Sequence, residues 1–149
     1  MNARSTRIVY WTFTVLFLAP QVWSAIQMLT RAPRMAETIT ELGYPMYLMT
    51  FLGTAKLLGA AAILFLDRWS TLKEWAYAGF TFDVLGAFFS HAAHGDSALI
   101  VSVPALFLCA QLVSYFSWRH MLQLGLTPIG VGARTSAEHR PATVAMRGA

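Results

Sequence analysis

Four long apolar stretches, joined by short polar connections, run through most of the sequence. Their boundaries are residues 8–30, 45–66, 74–93 and 98–118. A helix needs about 20 apolar residues to cross the hydrocarbon core of a bilayer, and every stretch reaches that length. Length separates such segments from the buried helices of soluble proteins, which periodicity alone does not do. We therefore predict an all-α integral membrane protein, with a four-helix bundle in residues 1–121.

The polar parts of the chain contain one further helical pattern. Met35, Ile39 and Leu42 recur on one side of the first connection, between acidic residues. Such spacing is typical of a short amphipathic helix at the membrane surface. Residues 122–149 contain glycines, prolines and few large apolar side chains, so we expect a flexible cytoplasmic tail there.

The aromatic residues lie toward the ends of the apolar stretches. All five tryptophans and all five tyrosines are found there or in the connections. This distribution is typical of the belt at the membrane–water interface, where a ring is buried and its polar edge is hydrated. The sequence therefore predicts interfacial positions for these residues, including Tyr10, Tyr77 and Trp118.

The basic residues are unevenly distributed between the two sides of the predicted membrane segment. Eight of the eleven lysines and arginines lie in the N-terminus, the second connection and the tail, whereas the first connection has two. By the positive-inside rule, both termini are predicted to be cytoplasmic. The same rule accounts for the net charge of +4, so we expect no nucleic-acid partner.

Two charged residues lie deep inside the apolar stretches. Lys56 is ten residues before Leu66, and Asp83 is nine residues after Glu74, so both lie about 14–15 Å from the cytoplasmic side. Either charge alone costs about 2.5–3.5 kcal/mol at the centre of a bilayer. Because the two stretches are antiparallel neighbours, the side chains can form an ion pair. Such a pair either fixes the register of the helices or belongs to a proton path or ligand pocket, and both interpretations stay open.

Small and polar residues accompany these charges at helical spacing. Gly79, Gly86 and Ser90 share a face with Asp83, which permits close approach of another helix. The other polar side chains expected inside the bundle are Tyr10, Thr14, Gln21, Ser24, Gln111 and Ser114. From this interior we predict a ligand-binding set of Lys56, Asp83, Ser90, His91 and Gln21.

Two histidines end the third stretch at a spacing of three residues. His91 and His94 are candidates for the edge of a metal or haem site, but no cysteine or acidic cluster accompanies them, so no metal is predicted. The alternative interpretation is a helix end. Gly95 suits a left-handed helix C-cap, and Asp96 suits the N-cap of the next helix.

Several short motifs coincide with the candidate residues. They are Leu-Gly-Tyr-Pro at 42–45, Leu-Gly at 52–53, Lys-Leu-Leu-Gly at 56–59, Leu-Lys-Glu-Trp-Ala-Tyr-Ala-Gly-Phe at 72–80, Gly-Ala at 86–87, Ser-His at 90–91 and Gly-Asp at 95–96. Together, over about residues 8–120, they resemble the DoxX-like family of small bacterial membrane proteins. The resemblance implies a multi-pass, four-helix protein of the bacterial inner membrane. The pocket residues it indicates are Lys56, Glu74, Asp83, Ser90, His91 and Asp96.

The resemblance also carries expectations about function. The family takes its name from a membrane subunit associated with thiosulfate:quinone oxidoreduction, and relatives are linked to redox and oxidative-stress systems. It implies an accessory protein or subunit of a quinone-linked redox system, with quinone or haem as candidate cofactors. A protein partner or a second copy is expected in addition to the bilayer. The single cysteine, Cys109, argues against dithiol chemistry of the vitamin K epoxide reductase kind.

Two other classes of function remain open at this point. One is a transporter for a small solute or for protons, since two charges lie at one depth among glycines. The other is a membrane-embedded enzyme acting on a lipophilic substrate, with Asp83, Lys56 and His91 as candidate catalytic residues. The sequence does not decide whether the protein is an enzyme.

Overall fold

The computed structural model describes residues 2–128, and this part of the chain is helical with no strand. The helices are α1 (Ala3–Leu29), α2 (Pro33–Glu41), α3 (Tyr47–Phe65), α4 (Ser70–His94) and α5 (Ala98–Gln123). The prediction of an all-α protein is confirmed. The tail predicted for residues 122–149 lies outside the described residues, apart from its first seven.

Three of the four long helices, α1, α3 and α5, are long and apolar enough to cross a membrane. Large apolar side chains also cover much of the outer surface. Phe82 and Leu99, for example, are each about three-quarters exposed. An apolar exterior of this kind is what a bilayer solvates. The protein is therefore a membrane protein. A fourth crossing by α4, which carries Lys73, Glu74 and Asp83, stays a prediction.

The four long helices pack in a ring. Helix α1 lies against both α5 and α3, and α4 lies against the same two helices from the opposite side. The contact between α3 and α4 is the least extensive of the four. The candidate site lies along this looser pair of helices.

The helix bounds differ from the predicted stretches mainly at the end of the ring where α1 begins and α5 ends. Helix α4 begins at Ser70, four residues before the predicted start, and α5 continues to Gln123. The following residues return to α1, because Arg7 Nη2 donates to Thr127 O at 3.3 Å and Trp11 Nε1 donates to Pro128 O at 3.3 Å. We call this end of the ring the Lys73 end and the opposite one the His91 end.

The short helix α2 lies at the His91 end. Ile39 packs in a small apolar cluster with Met28 of α1 and Met49 of α3. The amphipathic spacing of Met35 and Ile39 thus does form a helix, with its apolar side against the protein. Whether its other side lies at the membrane surface stays a prediction.

Candidate functional site

Three of the predicted ligand-binding residues meet where α1, α3 and α4 converge. Lys56 Nζ lies 3.1 Å from Asp83 Oδ2 and donates a hydrogen bond of 2.8 Å to Gln21 Oε1. The side chains of Lys56 and Asp83 are 9% and 16% exposed. The equal depth of the two charges along their helices, read from the sequence, explains why they can meet.

A groove of about 810 Å³ reaches this ion pair. It follows α4 from Trp75 to His91, a distance of about 24 Å along the helix axis. Lys56 and Asp83 lie near its middle, and Arg34 of α2 lies at its His91 end. Most of the remaining lining is apolar, so the groove combines an apolar wall with a few polar groups, as ligand sites generally do.

Glycines on α4 keep the groove open. A Cβ atom added at Gly79 or Gly86 would meet no other atom within 4 Å. By contrast, a Cβ atom at Gly53 would lie 2.8 Å from Leu29 Cγ, because that glycine permits close packing of α3 on α1. The glycines that share a face with Asp83 therefore border free space, and not a tight helix contact as the sequence suggested.

The mouth of the groove between α3 and α4 is flanked by exposed aromatic side chains. Phe51, Trp75 and Phe82 line the groove and are each about two-thirds exposed or more. Side chains of this kind on the outer surface of a membrane protein face lipid. The groove consequently opens sideways, along the surface that the bilayer would cover.

Hydrogen bonds organise the polar residues at the His91 end. Ser90 Oγ donates to Gly86 O at 2.7 Å, which leaves the Tyr44 hydroxyl to donate to Ser90 Oγ at 2.6 Å. His91 Nδ1 lies 2.6 Å from Asp96 Oδ2. Ser90 and His91 both line the groove, so four of the five predicted ligand-binding residues border it, and Gln21 reaches it through Lys56.

The turn between α4 and α5 confirms one helix-end prediction and corrects another. Gly95 ends α4 in the left-handed conformation, with φ 82°, as predicted. Asp96 does not cap α5, since Ser97 holds the N-cap position without a side-chain hydrogen bond. The Asp96 carboxylate bonds the imidazole of His91 instead, because the tight turn at Gly95 folds it back over the last turn of α4.

The two histidines do not act together. His91 is held by Asp96, whereas His94 is exposed and is not part of the groove lining. Within residues 2–128 no group of three or more His, Cys, Asp or Glu side chains could hold a metal ion. The pair therefore offers a single imidazole to the groove.

A second lysine–aspartate pair, absent from the sequence-based expectations, lies at the Lys73 end. Lys73 is fully buried and pairs with the carboxylate of Asp67. Its ammonium group also lies 5.3 Å from the ring centroids of Tyr10 and Trp118, in cation–π contact with both. The sequence places Lys73 in the second connection, one residue before a predicted helix, and such a position contains no signal of burial.

The interfacial prediction was wrong for three aromatic residues, although the position expected for Tyr10 inside the bundle is confirmed. Tyr10, Tyr77 and Trp118 are almost completely buried in the core, where Tyr77 stacks on Trp118 at a centroid distance of 6.0 Å. A position near a helix end defines depth in the membrane but not the side of the helix. Inside the bundle, the rings of Tyr10 and Trp118 enclose Lys73, and the Tyr77 hydroxyl bonds Ser114.

The buried polar side chains of α1 and α5 join this closed region. Ser114 Oγ lies 2.6 Å from Thr14 Oγ1 and 2.8 Å from the Tyr77 hydroxyl. Gln111 Nε2 donates to Tyr77 O and to Thr81 Oγ1, at 2.7 Å each. The predicted polar interior is therefore present. It is divided into two parts, since Thr14 and Tyr77 on one side are separated from Gln21 and Asp83 by apolar turns.

Phe17 and Phe80 form the division between the two polar parts. Phe17 follows Thr14 and precedes Gln21 on α1, and Phe80 takes the corresponding place between Tyr77 and Asp83 on α4. The two rings meet edge to face, with centroids 5.5 Å apart. Residues 2–128 thus contain an open polar site on the groove and a closed one at the Lys73 end.

Comparison with known proteins identifies the family. The model of the DoxX-like family matches residues 12–114, which include α2, α3 and α4 and most of α1 and α5. No curated protein and no solved structure matches the chain. Because the family model covers more than half of the sequence, the chain belongs to the DoxX-like family, and the resemblance noted from its motifs is confirmed.

Proposed function

We propose that this DoxX-like membrane protein binds a lipophilic quinone-type molecule in the groove along α4, as an accessory protein or subunit of a quinone-linked redox system. The observation that carries the proposal is the groove itself, about 810 Å³ in volume and bordered by the Lys56–Asp83 pair. The quinone-linked role is an expectation from the family resemblance. The groove supports it by its size, its access and its polar groups.

Size and access favour a ligand from the bilayer. A volume of about 810 Å³ lies within the range of roughly 300–1,000 Å³ that is typical of ligand sites. Because the opening between α3 and α4 is flanked by exposed aromatic side chains, a ligand dissolved in lipid can enter sideways without crossing water. A water-soluble substrate would have no such access along this face.

The polar groups favour a ligand with both hydrogen-bond acceptors and donors. Lys56 carries three N–H donors, of which Gln21 and Asp83 engage two, so one is left for a carbonyl oxygen. The Asp83 carboxylate has acceptor capacity beyond its contact with Lys56 and can accept from a hydroxyl. A quinone-type ring has carbonyl oxygens that can accept from Lys56, and after reduction it has hydroxyls that can donate to Asp83.

Binding of a short-chain benzoquinone to the purified protein in detergent micelles tests the proposal. We expect the quinone to raise the melting temperature and to quench the fluorescence of Trp75 at the groove. Gly86→Leu should abolish both effects because its side chain fills the groove. The matched control is Ala78→Leu, on the exposed side of α4, which should leave binding unchanged.

Two results would contradict the proposal. One is the absence of any quinone-dependent shift in the wild type. The other is equal binding by Gly86→Leu, which would place the quinone elsewhere. Lys56→Met, which removes the donor without filling the groove, should weaken binding but not eliminate the contribution of the apolar walls.

A proton transporter is the second candidate function. The specific observation in its favour is the stacking of two buried polar parts along the bundle, with Phe17 and Phe80 between them. In proteoliposomes, proton flux that depends on Asp83 would favour this alternative. Flux unchanged by Asp83→Asn would exclude it.

A further inference from the structure

A second polar pair lies at the His91 end of the groove, two helical turns from the Lys56–Asp83 pair. It consists of His91 and Asp96, whose Nδ1 and Oδ2 atoms are 2.6 Å apart. The turn at Gly95 brings the carboxylate back over the helix, and Asp96 N donates to His91 O at 3.1 Å. The backbone bond closes the turn, and the carboxylate holds the imidazole at Nδ1 while His91 borders the groove.

The carboxylate determines which nitrogen of the neutral ring can accept a hydrogen bond. When Nδ1–H donates to Asp96, the proton of the neutral imidazole is on Nδ1 and Nε2 has a free lone pair. A neutral His91 in this tautomer can accept a hydrogen bond from a hydroxyl through Nε2. It has no second N–H to donate to a carbonyl oxygen.

The spacing of the two pairs matches a ring with oxygen atoms on opposite sides. Asp83 and His91 are eight residues apart, about 12 Å along the axis of α4. A six-membered ring with oxygens at opposite positions, plus a hydrogen bond of about 2.8 Å at each oxygen, spans roughly 11 Å. One end of such a ring would meet Lys56 and Asp83, and the other would meet His91.

We propose that His91, oriented by Asp96, makes the groove prefer the reduced, hydroxyl-bearing form of its ligand over the oxidised, carbonyl-bearing form. This inference rests on the proposed function and adds to it the redox form that is bound. The cations on the groove do not make the distinction, since Arg34 and Lys56 can donate to a carbonyl and to a hydroxyl oxygen alike. Asp83 can accept from a hydroxyl at one end of the ring, and His91 extends the preference to the other end. His91 is thus a specificity-determining residue.

The preference has a consequence for the bound couple. If the reduced form binds tenfold more tightly than the oxidised form, the midpoint potential of the bound two-electron couple rises by about 30 mV. Where both forms are present at equal concentration in the bilayer, the groove would then be occupied mainly by the hydroquinone.

Parallel titrations with a short-chain benzoquinol and the corresponding benzoquinone, under anaerobic conditions at pH 8, test this inference. In the wild type we expect the quinol to bind at least tenfold more tightly. His91→Leu, which keeps the volume but removes the acceptor, should weaken quinol binding about tenfold and change quinone binding less than twofold. His91→Gln, which restores an acceptor oxygen, should recover part of the preference.

Asp96→Asn separates orientation from mere packing. It should reduce the preference for the quinol, and ¹⁵N NMR of His91 should show that the Nδ1–H tautomer no longer predominates. His94→Ala, in the same helical turn but outside the groove, is the matched control and should behave as the wild type. If Asp96→Asn lowers the melting temperature without changing the preference for the quinol, the His91–Asp96 pair only stabilises the turn between α4 and α5.

Three outcomes are thus distinguishable. If neither form binds the wild type, the proposed function fails and this inference fails with it. If both forms bind but His91→Leu weakens them equally or not at all, the proposed function stands and the role of His91 is wrong. Selective loss of the quinol in His91→Leu, but not in His94→Ala, supports both.

Discussion

The molecule contains two buried lysine–aspartate pairs, and their surroundings differ in almost every respect. Lys73 is completely enclosed, with Asp67 as its described anionic partner and the rings of Tyr10 and Trp118 around it. Lys56 borders a groove of about 810 Å³ and also bonds Gln21. The first pair is closed by aromatic packing, whereas the second has free space on one side.

The difference shows how the same two residue types serve opposite purposes. A buried pair is costly to form because both charges lose water, and it is more costly still to break because one charge is left alone. Enclosure therefore suits a pair that holds helices together. A pair next to free space keeps unused hydrogen-bonding capacity that a ligand can take up. We therefore propose a structural role for Lys73–Asp67 and ligand binding for Lys56–Asp83.

The largest expected effect concerns the closed pair. Asp67→Ala leaves the fully buried Lys73 ammonium without its counter-ion and should destabilise the fold by about 3–5 kcal/mol. Unfolding in detergent, followed by tryptophan fluorescence, measures this loss. The double variant Lys73→Met/Asp67→Ala should recover much of the lost stability. A double variant as unstable as the single one would show that the loss does not come from the unpaired Lys73 charge.

A smaller loss is expected for the corresponding change at the groove. Asp83→Ala should cost about 1–3 kcal/mol, since Lys56 keeps its hydrogen bond to Gln21 and the groove can admit water. The same unfolding assay compares the two sites directly. The double variant Lys56→Met/Asp83→Leu should be folded and at least as stable as either single variant, yet should bind quinone more weakly than the wild type. Equal losses at Asp67 and Asp83 would remove the distinction between closed and open pairs.

Two glycine variants test the free space beside the open pair. Gly86→Ala should change stability by less than about 1 kcal/mol, in the stabilising direction, because no atom lies within 4 Å of the new Cβ and alanine favours the helix. Gly53→Ala should instead cost about 1–3 kcal/mol, since its Cβ would lie 2.8 Å from Leu29 Cγ and 3.1 Å from Ala25 O. Similar melting temperatures for both variants would contradict the free space beside Gly86.

The smallest expected effects distinguish two tyrosines in the closed region. Tyr77→Phe should cost about 1 kcal/mol because it removes the hydrogen bond to Ser114 Oγ. Tyr10→Phe should be neutral within about 0.5 kcal/mol, since the Tyr10 hydroxyl has no hydrogen-bond partner among the described residues. A clear loss in Tyr10→Phe would indicate that its hydroxyl has a partner, for example an internal water molecule.

Much of the candidate site could be predicted from the sequence, because helical spacing converts sequence position into depth. The meeting of Lys56 with Asp83 follows from matching distances along two antiparallel helices. The left-handed turn at Gly95 follows from the missing side chain. The partner of Asp96 could not be predicted, because a carboxylate beside a helix start can equally accept from a backbone N–H or from a histidine.

The sequence by itself determined that this is a helical membrane protein of the DoxX-like family, because apolar length and local motifs are properties of the chain alone. Only the tertiary structure decided which helix faces turn inward. Burial of Lys73, Tyr10 and Trp118 depends on rotation of α4, α1 and α5 about their axes, and all sides of these helices are largely apolar. The groove likewise exists because α3 and α4 stand apart beside Gly79 and Gly86, a separation set by the packing of all the helices together.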